Sequence, residues 1–515
     1  MPRPNILLFM TDQQRADHLG VAGHPILQTP HLDRLAAQGV LFERAYVNCP
    51  LCMPSRATML TGLTPRAHQV RTNGINLSRV WPTLPEALRR AGYRTHAVGK
   101  IHVNVYGLPN GADPASLCPE DFPESQPLWA TRRLTHVPLP YYGFAGVELT
   151  TGHGGGVGGQ YRHWLEDNYP DAVRLLGAEA GRRPASGAEQ SWVMALPPEL
   201  HYNTWVADRA IAFLREQTSR AQPFFLQCSF PDPHHPYCPP ETWAARYTAD
   251  TMPPPIRRDG ELDDLPPFYH YQYEHDYPLS GRQRKTKITD EQLRDIRAFT
   301  CAMVSFVDEQ VGRVIAELGL LGLREQTIII FLSDHGDMLG DHWMLNKGPF
   351  HFEGLVRVPC IWSWPGHWRE GTRSQALVSL LDLVPTLYAI TGVPLFEGDL
   401  PLQVEAERQP PALPGHSLLP SLASEAEQVQ DALVIENDED YLGLRLRTLV
   451  TERYILTIYA GQSFGELWDL QEDPLQLHNR WHDSSLAPLK RDLQLRLLDE
   501  LIRTDGTLPR RLCHA

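Results

Sequence analysis

Four short segments of the sequence, each a candidate strand, end in residues that could bind a metal ion or an anion. The segments and the residues that follow them are 6–10 with Asp12 and Gln13, 95–98 with Lys100 and His102, 224–230 with Asp232, His234 and His235, and 327–332 with Asp334, His335 and Asp337. In an open sheet of parallel strands, ligands bind at the carboxyl ends of the strands. One such ending would mean little, because polar residues commonly follow strands, but four of them predict a single shared site.

The oxygen-bearing members of this set predict a site for a divalent metal ion. Asp12, Gln13 and Asp334 offer the oxygen ligands that suit a hard cation such as calcium or magnesium. His335 adds a nitrogen ligand, which also allows manganese or zinc. A carboxylate in such a position can instead cap a neighbouring helix, and for Asp12 alone the two interpretations are about equally good.

The basic members of the set could neutralise an anionic ester and move protons. They are Lys100, His102, His234 and, further along the chain, Lys347. A single lysine is usually solvated and a single histidine is usually structural, so it is their combination at the strand ends that favours a function. Ser55 could suggest a serine nucleophile, but the sequence has no G-x-S-x-G motif, which argues against a serine hydrolase triad.

Cys49 and Cys52 form a C-x-x-C pair that could belong to a redox or zinc-binding motif. No second C-x-x-C pair accompanies it, as a structural zinc site would require, and Pro54, Ser55 and Arg56 follow at once. Eight cysteines in 515 residues do not suggest a disulfide scaffold. We therefore expect a different chemistry at this pair.

The composition is that of an ordinary globular protein, with 42% hydrophobic and 21% charged residues. A formal net charge of −14 argues against general nucleic-acid binding, although an acidic protein can still carry a local positive field at its site. No segment has the roughly 20 apolar residues that cross a bilayer, and no signal peptide is visible before the first strand. We expect a cytoplasmic protein that binds neither nucleic acid nor membranes.

Strand-like and helix-like segments alternate through the first two-thirds of the chain, which predicts an α/β fold with a mostly parallel sheet covered by helices. Helices are predicted to begin at Thr29, at a capping box over residues 83–86 and at Thr289. The last of these should bury one apolar stripe against the core. That stripe consists of Ile296, Phe299, Met303, Val307, Val311 and Ile315.

We expect an α/β catalytic domain over residues 1–400, a Pro-rich linker over 401–430 and a C-terminal subdomain over 431–515. The subdomain should hold a small antiparallel sheet followed by an amphipathic helix over residues 486–502. Two irregular segments, 103–200 and 231–288, are rich in glycine, proline and aromatic residues. They are either insertions that shape the substrate site or exposed loops.

The segment that begins at Cys52 resembles a known motif. Cys52-Met53-Pro54-Ser55-Arg56 is similar to the C-x-P-S-R signature of the type I sulfatases, which is long and specific. Further blocks similar to that family follow in the family's order, at residues 5–13, 29–35, 99–102, 333–347, 357–359 and 465–474. The resemblance spans nearly the whole chain and implies the alkaline phosphatase superfamily fold, in which a smaller four-stranded sheet packs beside the large α/β domain.

The resemblance implies that a formylglycine-generating enzyme oxidises Cys52 to formylglycine. A hydrated aldehyde carries two hydroxyls on one carbon, so one can attack the ester and the other can later expel the product. One divalent metal ion, first of all calcium, would be bound by the formylglycine and by four side chains. By the same resemblance these are Asp12, Gln13, Asp334 and His335.

The resemblance also implies roles for the residues around the nucleophile. Asp334 would assist its deprotonation, Arg56 and Lys100 would fix and polarise the formylglycine, Lys347 and His234 would bind the transferred group, and His102 would take the proton from the second hydroxyl. Asn73, in an Asn-Gly pair shortly after the motif, either reaches the transferred group or simply forms a turn.

Two pairs of residues depart from the arylsulfatase pattern. Asp12-Gln13 and Asp334-His335 stand where many arylsulfatases have Asp-Asp and Asp-Asn, and they resemble instead the phosphonate monoester hydrolases and some bacterial sulfatases. Lys100 and His102, however, match the sulfatase G-K-x-H block.

We therefore predict a sulfuric ester hydrolase, arylsulfatase-like, that acts on a small-molecule sulfate ester. Hydrolysis of phosphonate monoesters or phosphodiesters is the alternative reaction. A non-catalytic anion-binding protein on the same scaffold is the alternative from another class. The aromatic-rich insertions could also form the interface of an oligomer.

Overall fold

The computed structural model describes residues 3–109, 112–275, 287–393 and 413–505. A nine-stranded sheet runs through the first three-quarters of the chain, in the order β5-β4-β3-β6-β1-β7-β8-β2-β9. Its strands are β1 Asn5–Thr11, β2 Val40–Tyr46, β3 Arg94–Lys100, β4 Gly146–Thr151, β5 Gly158–Gly159, β6 Phe224–Ser229, β7 Thr327–Ser333, β8 Cys360–Ser363 and β9 Thr372–Ser379. The five neighbours from β4 to β7 are parallel, and β5 and β8 run antiparallel to their partners. The predicted fold class is confirmed.

Helices cover both faces of this sheet. They are α1 Pro30–Ala37, α2 Cys52–Thr61, α3 Pro65–His68, α4 Leu84–Arg90, α5 Gln126–Ala130, α6 Gln160–Asn168, α7 Tyr202–Gln217, α8 Glu241–Ala244, α9 Glu261–Asp264, α10 Phe268–Glu274, α11 Asp290–Leu320, α12 Glu353–Val356, α13 Leu383–Thr391, α14 Leu419–Leu422 and α15 Ala487–Arg503. Side chains alternate along β1, so Ile6 and Leu8 enter one core with α2 and α4, whereas Leu7 and Phe9 enter another with α7 and α11. Burial on both faces explains why β1 and β7 are almost wholly apolar.

The predicted helix starts are found within a residue of their expected positions. Thr289 forms a complete capping box with Gln292 at the start of α11. The box predicted at residues 83–86 is only half formed: Thr83 accepts from the Glu86 backbone N–H, but the Glu86 carboxylate binds Arg89 and Arg90. These arginines lie three and four residues further along the helix, so their side chains can reach the Glu86 carboxylate and compete with the backbone N–H of Thr83 for it.

A second, four-stranded antiparallel sheet packs beside the first. Its strands are β10 Ala432–Glu439, β11 Leu444–Thr451, β12 Tyr454–Tyr459 and β13 Gly465–Asp469, in that order. One face is covered by α15, and the other contributes Ile435, Leu446 and Trp468 to the core of the large sheet. Residues 401–412 of the predicted linker and the last ten residues of the predicted subdomain lie outside the described residues, and the domain bounds stay a prediction.

The segment 103–200 is more regular than its composition indicates. It contains β4 and β5, which extend the large sheet at one edge, together with α5 and α6. Glycine and proline hide this order, because β4 is short and β5 consists of two glycines. Within the described ranges, no helix has both the length and the apolar character that a membrane crossing requires.

Candidate active site

The four strand ends singled out in the sequence lie side by side in the sheet, in the order β3, β6, β1, β7. Their last residues are in register, with Gly99 beside Ser229, Ser229 beside Met10, and Thr11 beside Ser333. Gly99 is required at its position, because a Cβ at its φ of 92° would overlap the Ser229 carbonyl oxygen. The residues that follow these strands therefore converge at one edge of the sheet.

Asp12, Cys52, Asp334 and His335 form one buried cluster at this edge. Their potential ligand atoms all lie within 4.8 Å of one another. Asp12 follows β1 and Asp334 follows the adjacent β7, and the Gln13 backbone N–H donates to Asp334 Oδ1 at 3.1 Å. Two carboxylates and an imidazole at this spacing are a donor set that fits a divalent metal ion.

Cys52 is the first residue of α2 and points into this cluster. Its Sγ lies 2.8 Å from Lys347 Nζ, 3.2 Å from His335 Nε2 and 3.8 Å from Asp12 Oδ1. Burial and Asp12 raise the pKa of the Cys52 thiol, but Lys100, Lys347 and His335 outweigh them and the pKa is lowered. The side chain at position 52 is thus held where negative charge is stabilised.

The ring of His335 is oriented so that Nε2, the nitrogen that would bind a metal ion, enters the cluster. Its Nδ1 lies 2.8 Å from the Gly336 carbonyl oxygen, which can only accept, so Nδ1 carries the proton. Nε2 then faces Cys52 and lies 3.5 Å from Asp12 Oδ1. A histidine ring fixed in this way by a backbone carbonyl is the usual arrangement of a metal ligand.

Gln13 also fits a metal ligand, although its side chain is an amide. Its Nε2 donates to Asp337 Oδ2 at 2.6 Å and contacts His235 Nδ1 at 3.1 Å. Both amide hydrogens are then used, and the buried Oε1 has no hydrogen-bond partner among the described residues. Gln13 has a φ of 69°, a conformation that a non-glycine residue adopts only when its surroundings hold it there.

Asp337 is one of the strand-end residues singled out in the sequence, but the sequence gives it no role of its own. It accepts from Gln13 and, at 2.9 Å, from the Tyr237 hydroxyl, and its own side chain is buried. Because a carboxylate can only accept, it holds the NH₂ end of the Gln13 amide and leaves Oε1 free to serve as a ligand. Its position, four residues after the end of β7, was visible in the sequence, but its partner Gln13 was not.

Asp337→Asn is expected to lower the affinity for the metal ion about 10- to 100-fold. The new side chain offers an N–H where Gln13 needs an acceptor, so the Gln13 amide is free to turn its oxygen away. Affinity is measured by calcium titration against a chromophoric chelator. Tyr237→Phe is the matched control: it removes the other bond to the same Asp337 oxygen and should leave the affinity close to that of the unmodified protein. Equal affinities in all three proteins would contradict this role.

Arg56 lies one helical turn after Cys52 and ties three strand ends together. Its Nε donates to Asp334 Oδ2 at 2.6 Å, and its Nη1 donates to the Lys100 carbonyl at 2.9 Å and to Ser229 Oγ at 3.1 Å. The guanidinium is 2% exposed and lies 3.8 Å from Asp12 Oδ2. It therefore neutralises the carboxylates of the cluster rather than contacting Cys52 itself.

Lys100, the last residue of β3, is fully buried and binds Asp12 Oδ2. It also lies 2.6 Å from Nε2 of His153, a residue that the sequence did not single out. Burial raises the pKa of Asp12, but Lys100, His234 and His153 outweigh it and hold that pKa well below its usual range. His153 was missed because it lies in the glycine-rich part of the segment 103–200, where no periodicity marks the preceding strand.

The histidines on this side of the site form a layered group. The rings of His153 and His234 stack with centroids 3.6 Å apart, and His234 Nε2 lies 3.4 Å from Lys347 Nζ. Burial lowers the pKa of His153 to about 3, with Lys100 adding to the effect, and burial likewise lowers the pKa of His234. Both rings are therefore neutral at pH 7.

His102 and Asn73 lie at the edges of the cluster. The His102 ring stacks on Tyr106 with centroids 3.9 Å apart, and its backbone N–H donates to the buried Glu124. Glu124 also accepts from the next two backbone N–H groups and holds this turn in place. Asn73 Oδ1 accepts from the Met53 N–H at 3.0 Å, so it caps the first turn of α2 beside Cys52.

A mostly parallel sheet with a metal-ligand cluster at its carboxyl edge, and an antiparallel sheet packed beside it, is the architecture of the alkaline phosphatase-like hydrolases. The Sulfatase family model matches residues 4–393, and the model described as N-sulphoglucosamine sulphohydrolase, C-terminal, matches residues 340–503. The chain therefore belongs to the sulfatase family.

Its relatives include enzymes named for two kinds of ester. An arylsulfatase from Clostridium perfringens is 27% identical over 490 residues, which cover 93% of this chain and 90% of the relative. The multifunctional alkaline phosphatase superfamily protein PehA of Trinickia caryophylli is 28% identical over 99% of this chain and 97% of its own. The crystal structure of the phosphonate monoester hydrolase of Agrobacterium radiobacter has a TM-score of 0.80 at 28% identity, covering 98% of this chain and 97% of that one.

Proposed function

We propose that this protein is a sulfuric ester hydrolase that cleaves a sulfate monoester with a formylglycine made from Cys52. The observation that carries the proposal is the position of Cys52, at the start of α2 and inside the buried cluster of Asp12, Asp334 and His335. A separate formylglycine-generating enzyme would read Cys52, Pro54 and Arg56 during maturation. The substrate is a small sulfate ester with an aryl or similar leaving group.

Asp12, Gln13, Asp334 and His335 would hold one divalent metal ion, for which three oxygen donors favour calcium. When bound, the ion would polarise the ester oxygen and lower the pKa of the attacking hydroxyl. Formylglycine would supply a hydrated aldehyde, whose two hydroxyls allow attack and later release at one carbon. These two groups supply the covalent chemistry of the proposal.

The remaining side chains bind the sulfate and move protons. Lys347 Nζ, 2.8 Å from Cys52 Sγ, would bind the transferred group together with Lys100 and His234. The Lys347 ammonium, 3.4 Å from His234 Nε2, would stabilise or protonate the leaving oxygen, with His234 beside it. Arg56 Nε holds Asp334 Oδ2 in place, and His102 would take the proton that releases the product.

Hydrolysis of phosphonate monoesters remains the second candidate, because Gln13 and His335 form the metal-ligand pattern that departs from the arylsulfatases. The 28% identity to a phosphonate monoester hydrolase of known structure supports it as well. Lys100 and His102 favour the sulfatase reaction, because with Gly99 they match the sulfatase G-K-x-H block. Both reactions need the same in-line displacement stabilised by cations.

The matured protein is expected to show a higher kcat/KM for an aryl sulfate than for the phenyl phosphonate with the same leaving group. The two substrates should be compared at saturating calcium, with one enzyme preparation and one buffer. A preference for the phosphonate of roughly a hundredfold or more, equal to about 2.7 kcal/mol of transition-state stabilisation, would overturn the ranking. Tight binding of the sulfate ester without any product would instead favour a non-catalytic protein.

A further inference from the structure

A second set of ligand atoms lies beside the proposed metal centre and shares one residue with it. The potential ligand atoms of Asp12, His153 and His234 all lie within 4.8 Å of one another. One carboxylate and two imidazoles are a donor set that zinc, manganese and similar ions accept. The residues that complete the first centre, Asp334 and His335, are not part of this set.

The hydrogen bonds of the two histidines direct their lone pairs toward cations. His234 Nδ1 contacts the His235 carbonyl oxygen, which can only accept, so Nδ1 is protonated and Nε2 carries the lone pair. His153 Nε2 faces Lys100 Nζ at 2.6 Å and therefore accepts from the ammonium. Both rings thus present a lone pair to an ammonium group, His153 to that of Lys100 and His234 to that of Lys347 at 3.4 Å.

The positive group that occupies this second set is the side chain of Lys100. Its ammonium binds Asp12 Oδ2 and His153 Nε2, and it is fully buried. The ammonium therefore contacts two of the three ligands. These two ligand atoms, His153 Nε2 and Asp12 Oδ2, are 3.3 Å apart. A buried carboxylate needs a positive partner, and here a lysine supplies it in place of an ion.

We propose that Asp12, His153 and His234 form a second cation site, whose resident cation is the Lys100 ammonium. His153 is then a positioning residue that holds Lys100 against Asp12. Removal of the ammonium turns the site into one for a divalent transition-metal ion, with zinc as the simplest occupant. This inference rests on the proposed metal centre only in sharing Asp12 with it.

The test is metal content and anomalous diffraction at the zinc edge, with zinc as the only added metal. The unmodified protein is expected to hold one ion, between Asp334 and His335. Lys100→Met, which keeps the length of the side chain but not its charge, is expected to hold two, with the new peak between Asp12, His153 and His234. The double variant Lys100→Met/His153→Phe keeps a ring stacked on His234 and should return to one ion.

The two anomalous positions separate the possible failures. An absent peak at Asp334 and His335 in the unmodified protein would count against the proposed function's metal centre and not against the second site. An absent peak beside His153 in Lys100→Met, or an equal peak there in the double variant, would overturn the second site. If Lys100→Met does not fold, Lys100→Ser makes the same test with more space. If neither variant folds even with zinc added, an ion does not replace the ammonium and the proposal is wrong.

Discussion

Cys52→Ala is expected to lower kcat/KM for a sulfate ester by roughly 10⁵-fold or more, the scale of loss seen when a covalent nucleophile is removed. Alanine cannot be converted to an aldehyde, and among the described residues this buried cluster has no second cysteine. Turnover should be measured with the purified variant after its metal content has been matched to that of the unmodified protein. The loss should appear in kcat, because the residues that bind the sulfate are unchanged.

Cys49→Ala is the matched control for this substitution. Cys49 is also buried and belongs to the same C-x-x-C pair, but burial raises the pKa of its thiol and it is not part of the metal-ligand cluster. Its removal should leave kcat close to that of the unmodified protein. Full turnover by Cys52→Ala, or an equal loss in both variants, would end the proposed mechanism.

Arg56→Met is expected to destabilise the protein by about 3–5 kcal/mol, because it leaves the buried Asp334 carboxylate without its arginine partner. Asp334 is fully buried and its Oδ2 lies 2.6 Å from Arg56 Nε, while Asp12 lies 3.8 Å from the same guanidinium. The free energy of unfolding should be measured by urea denaturation in the presence of a chelator. Added calcium should recover part of the loss, because the ion would supply positive charge to the same two carboxylates.

A surface arginine provides the control for Arg56. Arg132 pairs with Asp167 at 2.6 Å, but its side chain is 45% exposed and the pair is screened by water. Arg132→Met should leave the urea midpoint unchanged. An Arg56→Met protein with the same midpoint would show that the cluster does not depend on this guanidinium for charge compensation.

The sheet and most of the cluster were accessible from the sequence because both depend on short-range pattern. The sequences of β1, β3, β6 and β7 were recognisable as strands. Neighbouring parallel strands place their carboxyl ends at the same edge of the sheet. Because β1 and β7 are neighbours in the sheet, Asp12 and Asp334 lie close together, as the sequence predicted. The roles given to these residues remain a proposal.

The rest of the site depends on contacts between distant segments, which no local pattern encodes. Asp337 acts through Gln13, 324 positions away in the chain, and Glu124 acts through backbone N–H groups of residues 102–104. His153 follows a strand whose companion is only two glycines long. The segment 103–200, which the sequence predicted to be either an insertion or an exposed loop, thus contributes Glu124 and His153 to the site.

The proposed hydrolysis depends most on the chemical group at position 52 in the mature protein. The measurement is tandem mass spectrometry of the tryptic peptide 45–56, which contains both Cys49 and Cys52. We expect a thiol at Cys49 and an aldehyde at position 52. Among different preparations, the fraction of protein that carries the aldehyde should rise in proportion to kcat. Fully active protein in which position 52 is still a thiol would contradict the proposed mechanism.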